Sequence, residues 1–257
     1  MKKLLILLLL LNTSIGIFAQ FIPGVVASSH RIVKEESGEP GEPPEFLMTD
    51  SYTFTWLKAE QDLLTFDGVE ITDAIDAGPN GNDWKVMWFE GPRWDVQEEA
   101  FHFMDSPTRT TFGLWEPNGW PLPLCIYIVH KRADLSATGN IAGVGMSTLS
   151  IDIDDEAYYM QVPGGWLENW EIPEEVLSDY VLYRIYFQTD LSGYDVNNGL
   201  TGDNLNVTIT NTTTIHIGAQ DGICNGFVKE VIVRSIVDNN ANINAISNYL
   251  MTKYNIQ

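Results

Sequence analysis

Short runs of β-forming residues, separated by turn-forming clusters, fill the chain from about residue 46 onward. Val, Ile, Tyr, Phe and Thr are frequent in these runs, and several runs alternate apolar with polar side chains. Alternation with a period of two residues is typical of a strand with one buried face. The runs are residues 52–56, 125–130, 147–153, 180–187, 205–209, 214–217 and 227–235. Many short strands without intervening helices predict an all-β sandwich or jelly roll.

One helix is predicted, near the end of the chain at residues 242–253. The apolar residues Ile243, Ile246, Leu250 and Tyr254 recur there at three- and four-residue spacing. This spacing puts them on one stripe of a helix. We expect the stripe to dock on the edge of the sandwich.

The beginning of the chain has the pattern of a secretory signal peptide. Lys2 and Lys3 precede an apolar run at 4–11, and Ala19 is a suitable last residue before cleavage. The run is shorter than the roughly 20 residues that cross a bilayer, and a retained N-terminal anchor is the alternative. The sequence predicts a signal peptide at 1–19 and a secreted or cell-surface protein, or a virion protein if the chain is phage-encoded.

Residues 20–45 are expected to precede the folded domain. The stretch 34–45 interleaves glutamates with glycines and prolines. Such a composition is typical of an extended, solvated linker. We therefore predict an arm and linker at 20–45, followed by one β domain at 46–257.

The net charge limits which partners we expect the chain to bind, and the cysteine content bears on its compartment. The formal net charge is −21 at pH 7, and no basic stripe is evident. Such a surface repels phosphate backbones, so we expect no nucleic-acid partner. No segment after the signal peptide has an apolar run long enough to span a membrane. Cys125 and Cys224 are compatible with one disulfide in an oxidising compartment, and the sequence leaves their pairing open.

Two motifs, one at each end of the domain, resemble those of a known family. The first is a Trp-Leu strand, at Trp56 and Leu57, followed by an Asp-x-Gly-x-Asn-Gly-Asn-Asp turn at 76–83. The second is a strand ending in Ile-Gly, then a glycine before a strand that contains a glutamate, then a helix with a Tyr-Leu and a Lys-aromatic pair. Its residues are Ile217, Gly218, Gly226, Glu230, Tyr249, Leu250, Lys253 and Tyr254. In both motifs the chain is similar to laminin-G-like domains of the concanavalin A-like lectin/glucanase superfamily.

The resemblance implies a fold but no single function. It implies a concanavalin A-like jelly-roll β-sandwich of two antiparallel sheets with a short C-terminal helix. The chain departs from the family in one place, because the usual Asn-Gly hairpin after the long strand is not evident near Phe187. Domains of this kind include lectins, adhesion modules, glycan hydrolases and virion proteins, so the function has to be argued from local chemistry.

Tryptophans are the candidate glycan-binding residues. Sugar rings present C–H faces that stack on indole rings, while neighbouring polar groups bind the hydroxyls. Two pairs lie in segments that read as loops: Trp115 with Trp120, and Trp166 with Trp170. We expect at least one pair to contact a glycan or surface polysaccharide, and the alternative is that the rings fill the ends of the sandwich.

The oxygen-rich turn is the candidate metal site. Its residues with side-chain oxygens are Asp76, Asn80, Asn82 and Asp83. Carboxylates and amide carbonyls are Ca²⁺ ligands, so Ca²⁺ is the one cofactor that the sequence suggests. The alternative is a tight turn, because Asn and Asp side chains also bond their own backbone.

The candidate catalytic residues are Asp152, Asp154 and Glu156. Glycoside hydrolysis requires two carboxyl groups that flank the sugar. Glucanases of the resembling superfamily carry a Glu-x-Asp-x-(x)-Glu strand, and Ser150 stands here where its first glutamate would be. The alternative is an ordinary solvated strand end.

These observations leave three functional hypotheses. The leading prediction is an exported, non-catalytic carbohydrate- or surface-binding module. The first alternative is a structural or adhesive component that assembles into a virion or cell-surface structure. The second alternative is a glycoside hydrolase of the concanavalin A-like type.

Overall fold

The computed structural model describes most of the chain from residue 41 to Gln257. Gaps lie at 88–89, 105–110, 134–138, 146, 153–156, 163–164, 171–178, 189–191, 198, 202–212 and 219–225. For 139–140, 148–152, 157–162, 165–170 and 200–201 the backbone alone is described. The predicted signal peptide at 1–19, most of the predicted arm at 20–45 and the strand predicted at 205–209 lie outside the described residues.

Strands dominate the described residues, with two α-helices and one 3-10 turn. The helices are α1 (Phe46–Thr49) and α2 (Asn240–Tyr254), and the 3-10 turn is Gln61–Leu63. The strands are β1 (Thr53–Lys58), β2 (Leu64–Asp67), β3 (Glu70–Ala74), β4 (Trp84–Val86), β5 (Arg93–Asp95), β6 (Ala100–Phe103), β7 (Thr111–Trp115), β8 (Leu124–Arg132), β9 (Gly139–Val144), β10 (Ser147–Asp152), β11 (Ala157–Val162), β12 (Gly165–Trp170), β13 (Val181–Phe187), β14 (Ser192–Val196), β15 (Leu200–Thr201), β16 (Thr214–Gly218) and β17 (Gly226–Arg234). The predominantly β prediction and the C-terminal helix are confirmed.

The strands form one continuous, curled antiparallel sheet. One limb follows the order β14, β13, β8, β17 and β1. The other follows the order β4, β7, β16, β9, β10, β11 and β12. The strands β6, β5 and β3 connect the two limbs, because β6 pairs with β17 and β3 pairs with β4.

One hydrophobic core is shared by the two limbs. The first limb contributes Ile126, Ile128 and Val231, and the second contributes Phe112 and Ile217, all fully or almost fully buried. In β8 the even-numbered residues point into this core, while Cys125, Tyr127 and Val129 point to the opposite face. Burial on both faces explains why β8 reads as a nearly continuous apolar run.

The helix α2 covers the outer face of the first limb. Ile246 and Leu250 pack there against Trp56, Tyr127 and Ile232 in a second core. The predicted docking on an edge of the sandwich is therefore replaced by docking on a sheet face. The reason is that β8 and β17 present apolar side chains on both faces, and the outer face needs a cover.

Glu230 anchors α2 to the sheet. Its side chain is fully buried and accepts hydrogen bonds from Trp56 Nε1 at 2.6 Å and Tyr249 OH at 2.8 Å. Its other oxygen accepts from Lys253 Nζ at 2.7 Å and Tyr254 OH at 2.6 Å. Buried carboxylates are stable only when charge and hydrogen bonds are satisfied, as they are here. These five residues belong to the two end motifs of the sequence, so the motifs meet in one structural contact.

No helix in the described part of the chain combines the length and apolar content that a membrane span requires.

Candidate functional site

An open pocket of about 670 Å³ lies against β4 and β7 in the second limb of the sheet. The turn before β4 and the segment after β7 complete its walls. The residues that line it are Gly81, Asn82, Asp83, Lys85, Val86, Met87, Gly113, Leu114, Trp115 and Trp120. The pocket therefore combines indole rings, one carboxylate, one ammonium group and an amide.

The turn at 76–83 is held by its own polar side chains. Asp76 accepts hydrogen bonds from the backbone N–H groups of Trp56 and Gly78, both at 2.7 Å, and of Asn82 at 2.8 Å. Asp83 Oδ1 accepts from the N–H of Asp76 at 2.9 Å. Gly81 has a φ of 67°, a left-handed conformation that glycine adopts without strain.

The residues of this turn are also those of the predicted Ca²⁺ site. The side-chain amides of Asn80 and Asn82 donate to the carbonyls of Thr53 and Phe54, at 2.6 and 2.7 Å. The polar side chains thus fix the turn to β1, as the turn-forming alternative expects. Among the described residues no group of three or more His, Cys, Asp and Glu side chains is arranged to hold a metal ion. Ca²⁺ binding stays a prediction.

Asp83 and Lys85 bring opposite charges to the pocket. Within the described structure, hydrogen bonding engages Oδ1 of Asp83 and leaves Oδ2 without a partner. The exposed Lys85 side chain has no ion-pair partner among the described residues. One carboxylate oxygen is therefore open to a ligand.

Trp115 and Trp120 both line this pocket, and their contact with a glycan stays a prediction. Trp115 ends β7 and keeps 65% of its surface exposed. Trp120 is half-buried and packs edge-on against Phe54, with ring centroids 4.5 Å apart. Its buried Nε1–H has no hydrogen-bond partner in the described structure. An exposed indole face beside an unused donor suits a polyhydroxylated ring.

Trp166 and Trp170 lie in a strand, so their placement in a loop was wrong. They belong to β12, which pairs with β11 along its whole length, from Val162 opposite Gly165 to Ala157 opposite Trp170. Aromatic residues favour strands, and this preference prevails over the Gly and Asn residues that suggested a loop. The side chains of both tryptophans lie outside the description, so their contact with a ligand stays a prediction.

Asp152 ends β10, whereas Asp154 and Glu156 lie outside the described residues. Between β4 and β10 lie β7, β16 and β9. Four strand spacings of about 4.8 Å separate β10 from β4, roughly 19 Å in all. The two carboxyl groups of a glycosidase are about 5–10 Å apart. Asp152 therefore belongs to a different part of the sheet from Asp83.

Sequence reasoning missed the pocket residues Lys85, Met87 and Gly113, and it missed His216. The four come from β4, the residue after it, β7 and β16, which only the antiparallel pairing brings together. The one available signal was His216 between Ile215 and Ile217, a polar residue in the alternating run of a buried strand.

No protein-family model and no curated protein matches the chain, whereas many solved structures do. A Trypanosoma rangeli sialidase in complex with 2,3-difluoro-KDN aligns with a TM-score of 0.55 at 10% identity, over 79% of this chain and 32% of that chain. A GH54 α-L-arabinofuranosidase soaked with a cyclic sulfate inhibitor aligns with a TM-score of 0.52 at 12% identity, over 84% of this chain and 62% of that chain. The chain spans about a third of the sialidase, and at these identities the likeness concerns the fold.

These neighbours correct the leading functional prediction. Structures that share the fold include a sialidase and an α-L-arabinofuranosidase, which are glycoside hydrolases and fit the second alternative better, so the prediction of a non-catalytic binding module was wrong. The incomplete acidic strand motif at 150–156 had favoured a non-catalytic module over a hydrolase. An incomplete motif is weak evidence against hydrolysis, since the two carboxyl groups of a glycosidase need not come from one strand.

Proposed function

We propose that this domain acts on glycans as a glycoside hydrolase, with its substrate bound in the pocket formed by Asp83, Lys85, Trp115 and Trp120. The observation that carries the proposal is an exposed indole face, an unused indole N–H and an open carboxylate oxygen in one pocket. The glycoside-hydrolase neighbours support it at the level of the fold.

The proposal assigns the two carboxyl groups to Asp83 and Glu116. Asp83 lines the pocket, and Glu116 directly follows the exposed Trp115. Glu116 is held in place because its backbone N–H donates to the carbonyl of Thr213 at 2.8 Å and its Oε1 accepts from the backbone N–H of Asn118 at 3.2 Å. In this assignment one carboxyl group gives its proton to the leaving oxygen as the glycosidic C–O bond breaks, and the other takes a proton from the water that attacks the anomeric carbon.

The proposal also includes the detailed fold and the compartment that the sequence predicts. The curled sheet with a shared core supports a two-sheet jelly roll, and the end motifs support membership of the laminin-G-like group. Cleavage after Ala19 would export the domain to where extracellular polysaccharides are found.

The proposal is tested by turnover of model glycosides. The purified protein is incubated with p-nitrophenyl α-L-arabinofuranoside, a 4-methylumbelliferyl sialoside, arabinan and arabinoxylan, and the released aglycone or reducing ends are measured. We expect turnover of at least one substrate. In Trp115→Ala we expect KM to rise about tenfold, because the substrate loses an apolar ring contact.

The matched control for this variant is Phe66→Ala. Phe66 is a partly exposed aromatic residue, 38% exposed, in β2 and outside the pocket lining. Its replacement should leave KM unchanged. Absence of turnover on all four substrates, or equal KM changes in the two variants, would contradict the proposal.

A further inference from the structure

A row of residues crosses four neighbouring strands beside the pocket. Lys85 of β4 pairs with Gly113 of β7, Gly113 pairs with His216 of β16, and His216 pairs with Gly143 of β9. Directly paired residues of antiparallel strands point to the same face of a sheet. His216 therefore points to the face of Lys85 and Trp115, which line the pocket, while its neighbours Ile215 and Ile217 point into the core.

His216 is the unexplained polar group of this row. Its side chain is fully buried, and neither Nδ1 nor Nε2 has a hydrogen-bond partner in the described structure. Burial lowers the pKa of His216 to about 4, so the ring is neutral near pH 7. A neutral imidazole offers one N–H donor and one acceptor nitrogen, the two functions that a sugar hydroxyl exchanges. Leaving both unused in the interior is unfavourable, which calls for a reason outside the folding of the chain.

The surroundings of His216 provide a path to the pocket. Its partners on both sides are glycines, so no side chain stands beside the ring in this row. Gly113 lines the pocket, and a Cβ atom built on it would meet the backbone carbonyl oxygen of Ile215 and, at 2.6 Å, the Sδ atom of Met87; of these two atoms only the sulfur belongs to a movable side chain. The flexible thioether of Met87 thus occupies the space in front of Gly113. Methionine changes rotamer at little cost, so this space can be vacated.

We propose that His216 is a hydroxyl-binding residue of the pocket: a bound sugar ring displaces the Met87 side chain over Gly113, and one ring hydroxyl exchanges hydrogen bonds with the imidazole. The proposal deepens the proposed function and rests on it for the class of ligand. His216 acts in it by binding and positioning the substrate, with Gly113 and Gly143 leaving room for the ring.

The first test uses the unmodified full chain. Long-range ¹H–¹⁵N spectra record the imidazole nitrogens of the four histidines during titration with methyl α-L-arabinofuranoside and, separately, 3′-sialyllactose. We expect the His216 nitrogens to shift with at least one of the two probes and those of His130 to stay unchanged. Saturating binding without any shift at His216 would overturn the proposal.

The second test compares affinity with stability in His216→Leu. The dissociation constant for the probe that binds should rise about tenfold to a hundredfold, the loss of one or two hydrogen bonds. The midpoint of thermal unfolding should rise by about 2–4 °C, because an unpaired polar group leaves the interior. A histidine that serves only packing would give the opposite pair of results, unchanged affinity and lower stability. His216→Gln, which keeps a donor and an acceptor, should retain part of the affinity.

The outcomes separate this inference from the proposed function. Turnover that is equal in the wild type and in folded His216→Leu overturns the inference and leaves the hydrolase proposal standing. Probe binding that weakens in His216→Leu, without turnover of any substrate by the wild type, supports the inference and overturns the hydrolase proposal. Failure of both probes to bind, together with no turnover of any of the four substrates, overturns both.

Discussion

At the scale of single residues, the buried polar groups of the domain divide into two kinds. Glu230 and Arg234 are fully bonded: Glu230 accepts from four side chains, and Arg234 donates to Asp50 and Asp238. His216 and the Nε1–H of Trp120 have no partner among the described residues. The bonded groups serve the fold, and the two proposals above assign the unused groups near the pocket to a ligand.

Replacing Glu230 by Gln should weaken the fold. The amide keeps the shape of the side chain but removes the charge opposite Lys253 and presents its NH₂ group to donors. We expect the free energy of unfolding to fall by about 3–5 kcal/mol, as when one partner of a buried ion pair is removed. Urea denaturation measures it.

Glu60→Gln is the control for that substitution. Glu60 faces Lys58 at 3.8 Å with half of its side chain exposed, and exposed pairs contribute little. We expect a change below about 1 kcal/mol. A similarly small loss in Glu230→Gln would contradict the anchoring role of this carboxylate.

The buried histidine also predicts a dependence of stability on pH. Burial lowers the pKa of His216 from 6.5 to about 4, so the folded protein binds the proton more weakly than the unfolded chain. The free energy of unfolding therefore falls as the pH drops from about 6.5 to about 4, by about 3 kcal/mol for this one group.

The variant His216→Leu should lack this contribution. Urea denaturation of both proteins at pH 7 and pH 4 isolates it from carboxylates that titrate in the same range. We expect the variant to gain about 3 kcal/mol relative to the wild type on acidification. A stability difference that does not change with pH would show that His216 titrates normally.

At the scale of elements, alternation and helical spacing predict what local sequence determines. The runs that became β8, β13, β17 and α2 are correct within a few residues. The three strands pack against a core on each face, and α2 packs its one apolar stripe against the sheet. Short strands such as β4 and β5 were missed, since three residues carry too little periodicity to be recognised. The strand β12 was taken for a loop because turn residues outweighed its aromatics.

Docking of α2 depends on its apolar stripe. Leu250 is fully buried against the outer face of the first limb. Leu250→Ala should lower the free energy of unfolding by about 2–5 kcal/mol, the cost of a cavity at a buried leucine. Chemical denaturation is the measurement.

The control on the same helix is Asn248→Ala, which changes an exposed position. Its effect should stay within about 0.5 kcal/mol. If Leu250→Ala were equally mild, α2 would be peripheral to the stability of the domain.

At the scale of the whole molecule, the sequence predicted the class of the fold better than its site. Trp115 and Trp120, which both line the pocket, could be predicted as a pair because they lie five positions apart. His216 and Lys85 lie about 130 positions apart in the chain and share one row of the sheet only through the pairing of β4, β7 and β16. Residues that come together across several strands have no fixed spacing in the sequence. Gly113 and Met87 could therefore not be predicted from a motif either.

The functional prediction failed for a related reason. It compared the chain with one acidic strand motif at 150–156, and the open carboxylate in the described pocket comes instead from the turn that precedes β4. The role first expected for that turn was metal binding. Asp83 was thus first expected to be a Ca²⁺ ligand, and the proposed function makes it a catalytic carboxylate.

The most direct test of the account is the turnover of Asp83→Asn on the glycoside that the wild type hydrolyses best. The amide oxygen can still accept the hydrogen bond from the N–H of Asp76, so the turn should keep its structure while the charge is lost. We predict that kcat falls at least a hundredfold with an unchanged unfolding midpoint. Full activity in a folded Asp83→Asn protein would contradict the central claim that this pocket is a hydrolytic site.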